Sequence, residues 1–467
     1  MNPNPTSLEQ KSPIPKCSSF LFLPILLGPL ILLQLQSLNP SLPISFCPNP
    51  SISSHLCNQT TLLSMLRHSI TFLPLKDLRF SHNPTAGNTW FMSSLPDSPD
   101  SVGEAYYIRL PSNSTNNRLL CISASDPHDG SRNSYALAYP EALPYNSTFL
   151  PGFTFVSDTF YDYNNLWHGL AALLPFARWH AANGCASPER WFLFHWGEVR
   201  KGMGMWVRTL AEVSSGGKVR VVEGGEAAGV VCFEEAVVAR RNDVGMSNER
   251  KEEVYDLMRS RARIYCGLER KGGGNLGEIR MTLLFRVGSR SFKNETAVAG
   301  VFERECERVE GCRVRLVRSS NLTFCEQVTL MSETDILISP HGAQMTNMIF
   351  MDKNSSVMEF FPKGWLELAG GGQYVYRWLA DWAGMRHQGQ WRDSNGESCP
   401  FDDKDQCFTF YKDGTIGHDE AFFSQWAAQV LQETKVRKLK DASKRKNNGA
   451  SQQGMHVTDF NHCCSCG

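Results

Sequence analysis

The chain carries no excess charge of either sign. Lysine plus arginine and aspartate plus glutamate each number 47 among 467 residues, so the footprint of a bulk nucleic-acid binder is missing. No internal repeat occurs at solenoid periods, which excludes a stacked-repeat architecture. No Cys-x-x-Cys combines with histidine at zinc-site spacing, which argues against a structural metal. No pair of carboxylates stands out as flanking a glycosidic bond, which argues against a glycoside hydrolase. Charge is also missing from residues 18–38, and no lysine or arginine falls between Lys16 and Arg67.

That last gap is informative, because residues 20–33 are apolar throughout. The uncharged stretch is long enough to cross a bilayer as a helix. Lys11 and Lys16 precede it, so a short cytosolic tail (1–17), an anchor (18–38) and a luminal remainder are expected. A cleaved signal peptide is the competing reading. Residues 39–100, rich in proline, serine and asparagine, have the composition of a stem. Sequons at Asn58, Asn113, Asn146, Asn294, Asn321 and Asn354 suit a lumen. So do the fourteen cysteines beyond Cys17, which an oxidising compartment lets pair. Cys399 with Cys407 and Cys306 with Cys312 are spaced to close short loops. Lys435, Arg437, Lys438, Lys440, Lys444, Arg445 and Lys446 crowd one stretch, read as part of a solvated, disordered tail over 436–467.

From about residue 150 the pattern is globular. A strand over 152–156 precedes a helix over 165–180, in which Pro175 predicts a kink. A strand-like run follows at 191–195, short extended runs at 230–233 and 236–238, and a helix after Ser247 to about Tyr265. A glycine-rich break at 271–275 divides a first domain (101–275) from a second (276–435). The second alternates: strands over 280–285, 314–317, 336–339 and 356–360, with helices over 295–309, 323–332 and 343–350. Such alternation means an α/β fold, a parallel sheet covered by helices. Its ligands belong at the carboxyl ends of the strands.

The densest signal is Asp335-Ile-Leu-Ile-Ser-Pro-His-Gly-Ala-Gln-Met-Thr-Asn347, an apolar strand running into a tight turn and a helix. Gly342 lets backbone approach a ligand, and a helix N-terminus favours phosphate. This stretch resembles the His-Gly-Ala-x-x-Thr-Asn signature of glycosyltransferase family 61. Three further elements match in order: Asn165-Leu-Trp-His168, Arg286-Val-Gly-Ser-Arg290-Ser-Phe-Lys-Asn294, and Val357-Met-Glu359. Phe233-Glu-Glu-Ala-Val and residues 374–391 are similar to its plant branch in particular.

The resemblance implies two facing Rossmann-like domains of GT-B type after the anchor and stem. It implies inverting, metal-independent transfer from a UDP-sugar, xylose or arabinose favoured, to a cell-wall polysaccharide or glycoprotein glycan. A single-pass type II protein of the Golgi membrane, with its catalytic region in the lumen and possible complexes with other Golgi transferases, is the implied setting. No cofactor and no metal are expected beyond the donor substrate. The implied donor residues are Arg286, Arg290, Asn294, His341, Gly342, Ala343, Thr346, Asn347 and Glu359. Paired guanidiniums suit a diphosphate. His168 and Asp162 are the candidate bases for the acceptor hydroxyl. The chain departs from the family at Ala171 and Ala172, where relatives often carry an acidic residue, and at Gln344, where many have glycine. The first departure motivates an alternative: a catalytically inactive, transferase-like glycan-binding or scaffold protein. Asp403-Lys-Asp405 matches a metal-binding Asp-x-Asp pattern, but Pro400 precedes it, and it reads as an exposed loop.

Overall fold

Two sheets carry the fold, and side-chain parity within the second explains where its polar residues point. The computed structural model describes residues 54–77, 90–92, 107–124, 133–157, 165–193, 204–217, 219–223, 229–239, 248–268, 277–318 and 322–449. The expected anchor over 18–38 lies outside them. Among the described residues, no helix is long and apolar enough to cross a membrane. Residues 1–62 and 63–467 form two compact units. The first is described only where the helix Ser54–His68 begins.

The first sheet is mixed. Its strands are β1 (Leu73–Pro74), β4 (Tyr107–Leu110), β5 (Leu119–Ser123), β6 (Ser134–Ala138), β7 (Thr148–Ser157), β8 (Arg190–Leu193), β9 (Arg220–Glu223) and β10 (Val230–Ala239). A separate small ribbon pairs β2 (Lys76–Asp77) with β3 (Trp90–Phe91). The order is β1-β6-β5-β10-β7-β8-β9, with β4 also on β10. β10, β7, β8 and β9 run parallel, while the remaining pairings are antiparallel. The two extended runs expected at 230–233 and 236–238 are therefore one strand. Its first half pairs with β5 and its second with β4, and a register shift separates Phe233 from Glu235. Cys121 and Cys232 face each other across β5 and β10 and are disulfide-bonded.

The helix Leu166–Ala182 crosses from β7 to β8. Asn165 caps it, its side chain accepting from the Trp167 N–H, which satisfies an otherwise unpaired donor of the first turn. Pro175 sits inside this helix, and the Tyr107 hydroxyl donates to the Pro175 carbonyl at 2.6 Å.

The second sheet is wholly parallel. Its order is β12-β11-β13-β14-β15, built from β11 (Ile279–Phe285), β12 (Cys312–Arg318), β13 (Ile336–Pro340), β14 (Ser356–Phe361) and β15 (Arg386–Arg392). Alternate residues point to opposite faces. Met281, Leu283, Ile336, Ile338, Met358 and Phe360 face a core shared with the helices Glu295–Glu307 and Glu420–Gly449. Leu284, Leu337 and Val357 face the other way, into a core that also holds Phe155, Trp191 and Leu210 of the first half. Glu359, two residues after Val357, has the parity of that second face.

Three expectations need correction. The segment Ala343–Phe350 is a 3-10 helix, not an α-helix. Asn347 Nδ2 donates to the Gln344 carbonyl at 3.3 Å, competing for the acceptor that the wider helix would use. The Asp403–Asp405 loop is the start of a helix, Lys404–Asp413. Asp403 caps it by accepting from Gln406 N, and the Cys399–Cys407 disulfide closes the segment before it. Cys306 and Cys312 are likewise bonded, and Cys266, in the turn after the helix Asn248–Tyr265, is bonded to Cys325 of the helix Phe324–Ser332, a pair that spacing did not suggest.

The third correction concerns the basic stretch, which is helical to residue 449. Two of its side chains dock on the amino edge of the parallel sheet. Arg437 Nη2 donates to Ser356 Oγ at 2.7 Å. Lys438 Nζ lies 2.7 Å from Asp335 Oδ2 and also donates to the Glu278 carbonyl. Asp335 accepts from both the backbone and the guanidinium of Arg280 as well. It is buried, so removing it leaves two cations without their partner. Asp335→Ala is expected to lower the unfolding free energy by about 3 kcal/mol, read as an earlier urea midpoint with unchanged cooperativity.

Candidate active site

The order of the parallel sheet reverses between β11 and β13, because the chain steps outward to β12 and returns to the other side of β11. A crevice outside the carboxyl ends of those two strands follows from that reversal. β11 ends into Arg286 and the loop to Asn294. β13 ends into His341 and Gly342. The two ends meet where Arg286 Nη1 donates to the His341 carbonyl at 3.0 Å.

Glu359 lies behind this meeting point and has no solvent exposure. His341 Nδ1 donates to its Oε1 at 2.6 Å, and His387 Nε2 donates to its Oε2 at 2.8 Å. A carboxylate only accepts, so each of these ring nitrogens must carry the proton. Burial pushes the Glu359 carboxyl up. The hydrogen bonds donated by the two imidazoles outweigh it and hold the group below the usual carboxylate range. Burial lowers His341, against the pull of Glu359, and the charges of Arg290 and Arg286 add to the lowering. A neutral His341 with its proton on Nδ1 presents a free lone pair on Nε2. Its ring is fixed by Phe361, stacked at 4.8 Å, and by Tyr376 and Trp365 at 5.1 and 5.6 Å.

Among the described residues, the two arginines have cationic heads without a carboxylate in ion-pair contact. Arg286 reaches only the His341 carbonyl and, at 3.5 Å, Ser289 Oγ. Arg290 lies over the Trp365 ring at 4.9 Å. Its backbone is left-handed, φ 59°, held by an N–H donated to the Gly414 carbonyl at 2.8 Å. The Nε atoms of both arginines are buried and make no hydrogen bond. Burial, with the Arg286 charge adding to it, brings Arg290 down to about 10. Two adjacent, partly desolvated cations with spare donors are costly unless an anion completes them. Gly342 belongs to the same packing: a Cβ there would overlap the Arg286 guanidinium and come within 2.5 Å of Gln344 Oε1.

The remaining expected donor residues divide by position. Asn294 is exposed, and its side chain caps the helix Glu295–Glu307 by accepting from Ala297 N. Asn347 Oδ1 accepts from Trp206 Nε1 at 3.1 Å, which ties the 3-10 helix to the helix Gly204–Ser214 of the first half. Thr346 is fully buried, and Ala343 opens the 3-10 helix. The structure thus brings together Arg286, Arg290, His341 and Gly342. It sets Glu359 behind them, where its oxygens are already taken and out of reach of a ribose. Asn294 and Asn347 serve local structure.

His168 stands in the first turn of the helix Leu166–Ala182. Its neighbour Trp167 meets Tyr376 edge-on at 6.3 Å, and Tyr376 meets His341, so one aromatic layer joins the helix start to the cluster. Asp162 lies outside the described residues. Sequence reasoning missed His387 and Tyr376. A lone histidine in a polar strand and a tyrosine in a short helix give no local signal.

With this geometry in place, comparison with known proteins becomes decisive. The profile of the family described as Glycosyltransferase 61 matches residues 117–358, just over half of the chain. The chain belongs to glycosyltransferase family 61. The match includes Arg286, Arg290 and His341 and ends one residue before Glu359. Among curated relatives, protein O-linked-mannose beta-1,4-N-acetylglucosaminyltransferase 2 from Bos taurus is 28% identical over 92 residues. That stretch covers 20% of this chain and only 15% of the relative. A solved oxidoreductase from Corynebacterium diphtheriae aligns over 34% of this transferase and 98% of its own chain. Its 10% identity and TM-score of 0.24 are too low to bear on the fold.

Burial lowers His168 of this transferase from 6.5 to about 4. Between those values the unfolded chain binds a proton that the folded chain refuses, so acid favours unfolding. His168→Gln is expected to flatten the loss of stability between pH 6.5 and 4, by at most about 3 kcal/mol. Urea unfolding at several pH values in that window reads the slope, and an unchanged slope would assign the proton uptake to other groups.

Proposed function

We propose that this transferase moves a sugar, xylose or arabinose favoured, from a UDP-sugar to a cell-wall polysaccharide or glycoprotein glycan, with inversion and without an obligatory metal. The observation that carries the reading is the pair Arg286 and Arg290, two guanidiniums at the strand-order reversal that, among the described residues, form no ion pair with a carboxylate. In this reading they hold the diphosphate and offset its charge as the bond to the anomeric carbon breaks. His341 donates its Nδ1 proton to Glu359 and turns its Nε2 toward the donor's hydrogen-bonding groups. Glu359 and His387 act as positioning residues. The acceptor oxygen attacks the anomeric carbon from the face opposite the diphosphate, which departs as UDP. The acceptor proton passes to His168 or Asp162. His168 is suited by being neutral at the pH of the secretory pathway.

The donor lies between the two facing Rossmann-like halves of a GT-B arrangement. The setting is the Golgi lumen, with the chain anchored by residues 18–38 and held off the membrane by its stem. The disulfides support an oxidising compartment. The bovine relative's name supports including UDP-N-acetylglucosamine among candidate donors.

Thermal unfolding of the full-length protein with UDP and a panel of UDP-sugars, each with and without chelator, tests the reading. Ligand at about 100 times Kd adds about 2.7 kcal/mol to native stability. A chelator-insensitive rise in Tm is expected, largest for the true donor and abolished by Arg290→Ala. No rise with any ligand at millimolar concentration, in folded protein, would reject this donor site. A rise that vanishes with chelator would reject metal independence alone.

A further inference from the structure

The helix Val375–Trp382 carries an aromatic ladder that nothing above uses. Tyr374, Trp378 and Trp382 are spaced four apart and so share one face. Tyr374 meets Trp378 at 5.9 Å, Trp378 stacks toward Trp382 at 6.3 Å, and Trp382 stacks toward Trp167 at 6.2 Å. Trp167 sits beside His168 and against Tyr376, which touches His341. The ladder therefore leads from the candidate active site outward along one helix face.

Its rungs differ in what covers them. Trp382 and Trp167 pack against the shared core, and Lys251 Nζ lies 4.4 Å from the centre of the Trp382 ring. The outer rungs stay open: Trp378 is 40% exposed and Tyr374 37%. Gln373, next to Tyr374 in the chain, lines a cavity of about 270 Å³ together with Leu366, Glu367, Gln390 and Arg392. That cavity, reached one chain step from Tyr374, offers amide, carboxylate and guanidinium groups.

That combination matches a sugar ring. A pyranose offers a face of C–H groups, which meets the negative face of an aromatic ring, and a rim of hydroxyls that need donors and acceptors. An aliphatic peptide would use the rings but leave the cavity's polar groups without partners. We infer that Trp378 and Tyr374 form an acceptor subsite that stacks the pyranose rings of a neutral oligosaccharide, several residues from the reacting hydroxyl. The inference rests on the donor-site reading, since it takes the cluster around His341 as the point of transfer. Tyr374 and Trp378 are specificity-determining contacts to substrate, and Trp382 and Trp167 are positioning residues.

The test uses the full-length protein with saturating UDP. Xylohexaose and a mannopentaose are titrated separately while intrinsic tryptophan fluorescence is read. Saturable quenching is expected with at least one of them. Trp378→Ala and, independently, Tyr374→Ala should weaken that binding about tenfold. Because both side chains are substantially exposed, each variant should keep its Tm within about 2 °C of the parent and keep the UDP-induced rise in Tm. Absence of quenching by both oligosaccharides overturns the inference, as does unchanged affinity in both variants. In either case a persisting UDP-induced rise leaves the donor reading standing. Loss of that rise in the parent protein would instead remove the donor reading.

Discussion

Glu359 sits on an inner strand of the parallel sheet, closed off from water, with an imidazole on each carboxylate oxygen. Everything at the candidate active site is positioned from there. The carboxylate fixes the tautomer and tilt of His341. The His341 carbonyl in turn receives Arg286, whose guanidinium lies where a Cβ at position 342 would stand. A buried carboxylate is stable only when its oxygens are filled, and the two histidines fill them. The aromatic wall of Phe361, Trp365 and Tyr376 then keeps the His341 ring from rotating. This is a rigid support built on strands and completed before any ligand arrives.

Against that rigid support stand two cations that, among the described residues, form no ion pair with a carboxylate. Arg286 is close enough to lower the proton affinity of Arg290, and Arg290 is held by a ring face and a left-handed backbone turn. The fold stores an electrostatic cost at the carboxyl ends of β11 and β13. An anion bound between the two guanidiniums would relieve that cost. The other charged cluster, around Asp335 at the opposite edge of the same sheet, is fully paired. One edge therefore holds the sheet together while the other remains open for chemistry.

The second half of the fold was legible because its strands are short, apolar and separated by periodic helices. The strands expected at 280–285, 336–339 and 356–360 and the helix at 323–332 each lie within a residue or two of the observed elements. The first half was less legible. β10 reads as two runs because Glu234 and Glu235 interrupt it, whereas tertiary pairing with two different partners keeps it one strand. The basic stretch reads as solvated because charge runs usually are. A parallel sheet with unpaired acceptors at its amino edge draws Arg437 and Lys438 onto it. The 3-10 geometry after Gly342 is accompanied by an Asn347 side-chain bond to the Gln344 carbonyl, a contact that no local pattern reveals.

The sequence by itself determined the family, because its signature resides in short ordered motifs whose spacing survives without coordinates. It also determined which segments alternate as strand and helix, since burial on a sheet face demands a regular apolar period. Only the tertiary structure decided which of the motif residues meet. Glu359 and His387 lie 28 residues apart, and Asn347 and Trp206 lie 141 apart. Their pairing follows from strand order and side-chain parity, not from proximity along the chain. The same holds for the line of aromatic rings from Trp378 to His341, which joins two halves of the protein that packing alone brings into contact.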